Sequence, residues 1–343
     1  MPERFTTESR GLAAGLGGLV EAAMELTVVP SFTRLGYAVR SRLGGWTALD
    51  RYDLTDRVVL LTGGTSGLGA AAAVALAKAG AAVIITGRDT ARTEAARQRL
   101  SAETGVDLPP SIAADMADRD AVQRLADEVL ARFDRLDVLV HNAGALSADR
   151  SENADGIEST VASQVVGPFQ LTTLLDERLR ATAALTGRPS RVLTMTSGGM
   201  YTAPLAVGSL QMSIDDYKGA VQYARAKRAQ VVLAEMHAAR HGSPRSIVFH
   251  SVHPGWADTP GVAGSLPLFD KVLGPALRTP AEGADCLVWL AACDDEPLHS
   301  SGLFWHDREP RDTHRLPQTS RSDTSATRDS LWEWVEAAAT SGK

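Results

Sequence analysis

Tyr223 and Lys227 are the residues of this sequence whose types and spacing suit proton transfer. They lie four positions apart, which places both side chains on one face of a helix. Of the five tyrosines, only Tyr223 has a lysine at this spacing. A free tyrosine has a pKa near about 10, too high for proton transfer at neutral pH, and a neighbouring ammonium group lowers it. Such a pair could protonate the alkoxide formed when a hydride reaches a carbonyl carbon, or deprotonate an alcohol in the reverse reaction.

A hydride donor must be bound beside this pair, and the segment around the first predicted strand indicates where. Val58–Leu61 is a continuous apolar run, as in a parallel strand that is covered on both faces. A glycine-rich turn and an alanine-rich helix follow, so bare backbone and free N–H groups can face a pyrophosphate. The pattern favours a dinucleotide-binding turn over a plain structural turn. The residues assigned to the cofactor here are Thr62, Gly63, Thr65, Ser66, Gly67, Leu68 and Gly69.

The end of the second predicted strand indicates which dinucleotide is bound. Gly87 ends this strand and Arg88 follows it. An acidic residue at this position binds a ribose 2′-hydroxyl, whereas an arginine accommodates a 2′-phosphate. The sequence therefore favours NADP(H) over NAD(H). Asp89 leaves the alternative open, because it lies within the usual distance for a ribose-binding acid, although it could equally cap the helix that begins near Thr90.

Strand patterns alternate with helical patterns along the rest of the chain. The predicted later strands are Ala82–Thr86, Pro110–Ala114, Asp137–His141, Arg191–Thr196, Ser246–Val252 and Gly302–His306. This alternation predicts an α/β fold, a Rossmann-type doubly wound parallel sheet. We expect a single domain over residues 51–309, with an N-terminal helical extension, residues 1–50. A C-terminal tail with a short helix, residues 310–343, follows.

Several motifs occur in the order and at the strand ends that are typical of one enzyme family. They are Thr62-Gly63-x-x-x-Gly67-x-Gly69, Asn142-Ala143-Gly144 after the fourth strand, Ser197 after the fifth, Tyr223-x-x-x-Lys227, and Pro254-Gly255 with Thr259 after the sixth. Together they resemble the short-chain dehydrogenase/reductase (SDR) family. Further motif blocks between about residues 30 and 320 resemble one subgroup of that family.

The resemblance implies roles for the site residues. Ser197 donates a hydrogen bond to the substrate oxygen, and Tyr223 is the acid and base. Lys227 lowers the pKa of Tyr223 and binds the nicotinamide ribose. Thr259 contacts the carboxamide, and Asp115 contacts the adenine side of the cofactor. The remaining cofactor contacts implied are Met116, Asn142, Ala143, Gly144, Pro254 and Gly255.

Two residues depart from the family pattern. The family usually has an asparagine where this chain has His141, and another where it has Gln164. In related enzymes the second asparagine holds an irregular turn whose freed carbonyl binds a water that touches the catalytic lysine. Pro168 has no N–H to give residue 164, so the turn can open without the asparagine. We therefore count Gln164 among the catalytic residues and expect its carbonyl to be free to hold that water.

Composition excludes several other functions. The net charge of −6 and the lack of a basic run argue against a nucleic-acid partner. The two cysteines, Cys286 and Cys293, lie seven apart in a predicted helix, too distant to bridge, and neither has the companions of a metal site. Reduced thiols favour a cytoplasmic protein.

The expected partner is a small lipophilic carbonyl compound or alcohol, and the sequence is compatible with a homo-oligomer. An apolar stretch, Leu266–Leu277, is predicted to cover the site.

The N-terminal extension allows two interpretations. Its apolar stretch contains Glu21 and Glu25, which argues against a membrane span. We favour an amphipathic helix that packs on the domain. The alternative is contact with a membrane surface through residues 11–46, helped by Arg34, Arg40 and Arg42, with Trp46 nearby. There is also an alternative function for the whole chain: a cofactor-binding regulatory or scaffold protein that has lost turnover. Gln164 and His141 are the only residues that favour it.

Overall fold

The fold is built on an eight-stranded sheet in the order β3-β2-β1-β4-β5-β6-β7-β8. A computed structural model describes residues 28–242, 245–258 and 274–340 of the chain. All neighbouring strands pair in parallel except β8, which runs antiparallel to β7. The strands are β1 (Val58–Leu61), β2 (Ala82–Gly87), β3 (Ile112–Ala113), β4 (Val138–His141), β5 (Ser190–Met195), β6 (Ile247–His253), β7 (Leu303–His306) and β8 (Glu309–Pro310).

Helices cover both faces of this sheet. They are α1 (Val28–Phe32), α2 (Arg34–Leu43), α3 (Gly67–Lys78), α4 (Thr90–Thr104), α5 (Arg119–Arg132), α6 (Ser159–Val161), α7 (Gly167–Thr186), α8 (Gly219–His241), α9 (Pro280–Ala292), α10 (Glu296–His299), α11 (Pro317–Ser322) and α12 (Ser325–Thr340). Adjacent residues of a strand point to opposite faces, so Leu60 and Leu61 enter separate buried clusters. The doubly wound parallel sheet predicted from the sequence is therefore confirmed.

The strand order reverses between β1 and β4, which pair directly. In such sheets a crevice opens beyond the carboxyl ends of the two strands at the reversal, and ligands bind there. The glycine-rich turn follows β1 and Asn142 follows β4. The topology thus brings two of the predicted cofactor-binding segments to the same place.

The N-terminal helices α1 and α2 are held on the domain by buried ion pairs. Asp307, in the turn between β7 and β8, accepts hydrogen bonds from Arg40 Nη1 at 2.9 Å and from Arg278 Nη2 at 2.8 Å. Both guanidinium groups also donate to the carbonyl of Ser31, at 3.0 and 3.1 Å. Asp307 and Arg308 have left-handed backbone angles, with φ of 54° and 60°. This conformation is uncommon outside glycine, and here it directs both side chains into the protein.

Arg308 extends the same attachment. It pairs with both carboxylate oxygens of Asp285 at 2.8 Å and donates to the carbonyl of Thr47 at 2.7 Å. Its guanidinium carbon lies 4.7 Å from the ring centre of Trp46. Arg40 is buried, so two of the residues suggested for a membrane surface, Arg40 and Trp46, instead contact the protein. Residues 11–27 of that suggested segment lie outside the described residues.

At the other end of the chain, α12 packs against α7 and α8. Leu331, Val335 and Ala339 follow a helical spacing and are buried in one cluster with residues of those two helices. Trp332 lies over Phe169, with ring centres 4.9 Å apart. Within the described parts of the chain, no helix is long and apolar enough to cross a membrane.

Candidate active site

The glycine-rich turn after β1 is braced by the segment after β4. Asn142 Nδ2 donates to the carbonyls of Thr62 and Gly63, at 3.0 Å each. The Thr62 hydroxyl accepts from the backbone N–H groups of Asn142 and Ala143, at 3.0 and 3.1 Å. A methyl group at Gly69 would lie 2.2 Å from the Gly63 carbonyl oxygen, so the close approach of turn and helix requires glycine there. These contacts hold the turn in a fixed shape at the opening of α3.

The structure brings Ser197, Tyr223 and Lys227 together at the carboxyl end of β5. Tyr223 and Lys227 lie one turn apart on α8, and Lys227 Nζ is 5.1 Å from the centre of the Tyr223 ring. Nζ donates to the carbonyl of Met195 at 3.0 Å. The Ser197 hydroxyl lies near enough to Tyr223 to lower its pKa. The three residues predicted to carry the chemistry therefore form one cluster beside the crevice.

Burial controls the acid strength of this cluster. It raises the pKa of Tyr223 to about 12, although part of that side chain reaches solvent, and the nearby Ser197 hydroxyl acts in the opposite direction. Burial lowers the pKa of Lys227 to about 7. Because loss of hydration dominates, the Tyr223 pKa lies above its ordinary value, and its lowering by Lys227, implied by the resemblance, stays a prediction.

Gln164 lies in a π-helical turn, Ala162–Val166, between α6 and α7. Its backbone carbonyl accepts a hydrogen bond from Gln230 Nε2 of α8 at 2.6 Å. The Gln164 carbonyl therefore already accepts one hydrogen bond, because Gln230, three residues after Lys227 on the buried side of α8, reaches across to the turn. Its second lone pair remains for the expected water, which stays a prediction. The Gln164 side chain donates instead to the carbonyl of Ala145 at 2.7 Å.

The residues at the end of β2 have separate tasks. Asp89 caps α4 by accepting from the backbone N–H of Arg92 at 2.8 Å. Arg88 is exposed, and no carboxylate among the described residues pairs with it. The Asp89 carboxylate is therefore engaged with the helix, while the Arg88 guanidinium can meet a ligand.

The other cofactor residues predicted from the sequence lie at the ends of β3 and β6. Asp115 accepts from the backbone N–H of Ala117 at 2.9 Å, and Met116 beside it is buried. Gly255 has a φ of 74°, and Arg278 donates to the carbonyl of Pro254 at 3.3 Å. Thr259 lies outside the described residues, as does most of the predicted apolar cover, Leu266–Leu277.

Two residues that the sequence analysis missed shape the segment after Ser197. Gly198 N–H donates to Nδ1 of His253 at 3.1 Å. Arg228 is fully buried and donates to the carbonyls of Met200 and Thr313, at 2.9 and 2.8 Å. Arg228 could have been identified from the sequence, because it is a charged residue directly after Lys227 on the side of α8 that faces the sheet.

No group of three or more metal-ligating side chains occurs in the described ranges of the chain. Cys286 and Cys293 are both buried free thiols, and burial raises the pKa of Cys286 well above its usual range. A thiol in this state is a poor nucleophile. The cluster of Ser197, Tyr223 and Lys227 is thus the arrangement in which the described residues can move a proton next to a bound ligand.

The chain is similar to known proteins in sequence and in fold. The sequence profile of the family described as short chain dehydrogenase matches residues 57–266. Dehydrogenase/reductase SDR family member 12 of Homo sapiens is 37% identical over 82% of this chain and 85% of that protein. Retinol dehydrogenase 12 of Mus musculus is 27% identical over 90% of this chain and 95% of that protein. The solved RhlG/NADP active-site complex of Pseudomonas aeruginosa has a TM-score of 0.60 at 25% identity, covering 74% of this chain and 94% of that chain.

Proposed function

Because the chain belongs to the short-chain dehydrogenase/reductase family of oxidoreductases, we propose that it is an NADP(H)-dependent enzyme that interconverts a small lipophilic carbonyl compound and its alcohol. The observation that carries this proposal is the convergence of Ser197, Tyr223 and Lys227 beside the glycine-rich turn. A binding protein without turnover has no need of this arrangement.

The described residues fit a nicotinamide dinucleotide. A Cβ at Gly63 would lie 2.8 Å from Ala143 Cα, and the N-terminus of α3 follows directly, so the turn leaves bare backbone where a pyrophosphate approaches. Thr62, Asn142 and Gly144 line the adjoining strand ends. A bound nicotinamide supplies or accepts the hydride, and the rest of the chemistry belongs to this chain.

In the reducing direction, the substrate oxygen must lie where Ser197 and Tyr223 meet. Ser197 donates a hydrogen bond to this oxygen and Tyr223 transfers its hydroxyl proton to it as the alkoxide forms. The influence of Ser197 on the pKa of Tyr223 supports the proposal that both side chains reach one atom. Lys227 lies close enough to interact with the tyrosinate that remains. In the oxidising direction the same atoms accept the proton from the alcohol.

The preference for NADP(H) rests on the contrast between Arg88 and Asp89. Asp89 is used as the cap of α4, whereas Arg88 is exposed at the end of β2. A guanidinium group at this position favours a 2′-phosphate, with which it can form charge-assisted hydrogen bonds.

The proposed lipophilic substrate is supported by apolar side chains at the same edge of the sheet. Ile214, in the segment between β5 and α8, is 72% exposed, and Trp256 follows β6. The relative named retinol dehydrogenase 12 indicates the size of substrate to test.

The test is a panel of lipophilic aldehydes and ketones, retinal included, with NADPH consumption followed by absorbance. We expect turnover of at least one compound, and Tyr223→Phe should lower kcat by roughly 10²–10⁴-fold because the positioned acid is lost. NADPH affinity should be unchanged in that variant. NADPH binding by the unmodified protein without turnover of any compound would favour the alternative, a silent cofactor-binding protein.

A further inference from the structure

The N-terminal helix α1 reaches the turn that carries Ser197. A Cβ atom placed on Gly198 would lie 3.0 Å from Cε2 of Phe32 and 3.0 Å from Nε2 of His253. Both distances are shorter than ordinary van der Waals contacts, which are about 3.5–4.0 Å. The residue after Ser197 is therefore enclosed by one side chain from α1 and one from the end of β6.

Two backbone N–H groups define the orientation of this turn. Ser197 precedes a short 3₁₀ helix, Gly198–Thr202, and its Oγ accepts a hydrogen bond from the N–H of Gly199 at 3.3 Å. The N–H of Gly198 donates to Nδ1 of His253 at 3.1 Å. The Ser197 hydroxyl thus accepts one hydrogen bond from its own turn and keeps its hydrogen for another partner.

His253 can accept from Gly198 only as a neutral imidazole with its proton on Nε2. The residue is 2% exposed. Burial lowers the pKa of His253 well below its usual range, and the neighbouring His306 and Arg278 act in the same direction. Its Nε2 has no hydrogen-bond partner among the described residues. The hydrogen bond with Gly198 is therefore the one that the described part of the chain gives this ring.

Ring contacts fix the plane of the His253 side chain. Phe32 packs edge-on against it, with ring centres 4.4 Å apart and an angle of 85° between the planes. His306 stacks on it, with ring centres 4.8 Å apart and an angle of 26°. His306 also lies 3.3 Å from Asp307, the residue that pairs with Arg40. Because buried side chains are closely packed, the orientation of the His253 ring depends on how α1 is attached.

The same residue of α1 contacts the segment after β6. The carbonyl of Phe32 accepts from the backbone N–H of Trp256 at 2.7 Å, and the two rings lie 5.8 Å apart. Trp256 directly follows Pro254 and Gly255, which are predicted cofactor contacts. Because β5 and β6 are neighbours in the sheet, Phe32 joins the two segments that follow them at the edge of the crevice.

We propose that α1 is a positioning element of the active site, in which Phe32 holds His253 against Gly198 so that the Ser197 hydroxyl faces the substrate oxygen. This inference rests on the proposed function and extends it to a helix outside residues 51–309. The physical reason is that a displacement of about 1 Å at a positioned group can lower a rate about 100-fold. Phe32 and His253 are positioning residues, which act through Ser197.

The first test compares two substitutions of His253, assayed with NADPH and a compound that the panel identifies. His253→Leu removes the acceptor, whereas His253→Asn places an amide oxygen near the position of Nδ1. We expect His253→Leu to lower kcat by about tenfold or more at unchanged NADPH affinity, and His253→Asn to recover most of that loss. The control is His250→Leu, which removes a buried, hydrogen-bonded histidine from the same strand and should keep kcat.

The order of the two His253 variants separates positioning from stability. Asparagine is smaller than leucine and leaves the larger cavity, so the asparagine variant should be the less stable of the two. A positioning role nevertheless makes it the more active one. If kcat follows stability instead, or if the NADPH affinity falls together with kcat, the proposal is overturned.

The second test addresses α1 itself. Phe32→Leu removes the ring that contacts Gly198 and His253. Phe249→Leu is the matched control, because it removes an equally buried ring that stacks on His237 instead. We expect Phe32→Leu to lower kcat by roughly three- to tenfold without changing the NADPH affinity, and Phe249→Leu to change neither. Equal effects of the two variants on kcat, or no effect of Phe32→Leu, contradict a positioning role of α1.

A third measurement uses the unmodified protein and needs no turnover, so it also decides the case in which the variants fail to fold. Nitrogen NMR of isotope-labelled histidine, assigned with His253→Asn, shows which ring nitrogen carries the proton. We expect the proton on Nε2 at neutral pH, with and without NADPH. A proton on Nδ1 overturns the positioning of the Ser197 turn. A proton on Nε2 in a protein that turns over no compound counts against the proposed function and leaves the contact with Gly198 intact.

Discussion

At Arg88 the fold leaves a guanidinium group exposed beside the glycine-rich turn, while the adjacent carboxylate of Asp89 is held by the helix it caps. A charge-assisted hydrogen bond contributes roughly 1.5–3 kcal/mol. We therefore expect NADPH to bind about tenfold or more tightly than NADH, and Arg88→Ala to remove most of this preference. Fluorescence titration with both cofactors measures the difference.

Asp89→Asn is the matched control for Arg88→Ala. Asparagine caps a helix about as well as aspartate, so neither stability nor cofactor preference should change. Equal affinity of the unmodified protein for NADPH and NADH would contradict the assignment and return Asp89 to consideration.

Residue types and spacing predicted the chemical cluster because its members are fixed by local structure. Tyr223 and Lys227 share a helix face, and Ser197 and Asn142 follow parallel strands whose ends must lie at one edge of the sheet. The hydrogen bond from Gln230 to the Gln164 carbonyl is different. It joins residues 66 apart on two helices, and its length depends on how those helices pack. Sequence patterns carry no such distance.

At the scale of the elements, the turn between β7 and β8 connects helices that are distant in the sequence. Asp307 joins α2 and the segment before α9 through Arg40 and Arg278, all three side chains being at least 95% buried. Removing one partner of a buried ion pair leaves an uncompensated charge, at a cost of about 3–5 kcal/mol. In Asp307→Asn the new side chain has the same shape as aspartate, and asparagine tolerates the left-handed backbone conformation. The loss of the negative charge should therefore be the main effect of this substitution.

We expect Asp307→Asn to lower the free energy of unfolding by about 3–5 kcal/mol in urea titrations. Arg34→Ala is the control, because Arg34 is on the same N-terminal segment but pairs with Glu282 at an exposed position. Exposed pairs contribute about 0–1 kcal/mol. Similar losses in both variants would mean that the buried network contributes little.

For the whole molecule, a group of buried neutral histidines determines the response to acid. Burial lowers the pKa of His141 and His237 to about 3, and that of His250 and His306 to about 4. The unfolded chain binds protons at these sites from about pH 6.5 downward, whereas the folded chain does not. Their contribution to stability is therefore complete above about pH 6.5 and falls as the pH drops towards 4.

Each of these histidines can contribute up to about 1.4 kcal/mol of lost stability per pH unit in that window. We expect the urea midpoint to fall clearly between pH 7.5 and 5.5. His237→Phe should reduce that fall, because one titrating group is gone and the ring can still stack on Phe249. A midpoint that does not change with pH, or a fall that is unchanged in the variant, would show that the histidines titrate normally.

The attachment of the N-terminal helices also predicts how the protein behaves near membranes. We propose that residues 1–50 act as an extension packed on the domain of residues 51–309. Arg40 and Trp46, two of the residues suggested for a lipid surface, contact the protein itself. The full-length protein should stay in the supernatant when centrifuged with anionic vesicles at low salt. Sedimentation with the vesicles that is lost on deleting residues 1–46 would support the membrane-surface alternative.

The pairing of Arg40 with Asp307 also sets an order of events during synthesis. The two residues are 267 positions apart, and a ribosome adds roughly 5–20 residues per second, so about 15 to 50 seconds pass between them. During that interval α1 and α2 have emerged, but the carboxylate that receives Arg40 does not yet exist. These two helices therefore wait for nearly the whole chain before they can reach their native positions, and a chain interrupted before residue 307 leaves them without this ion pair.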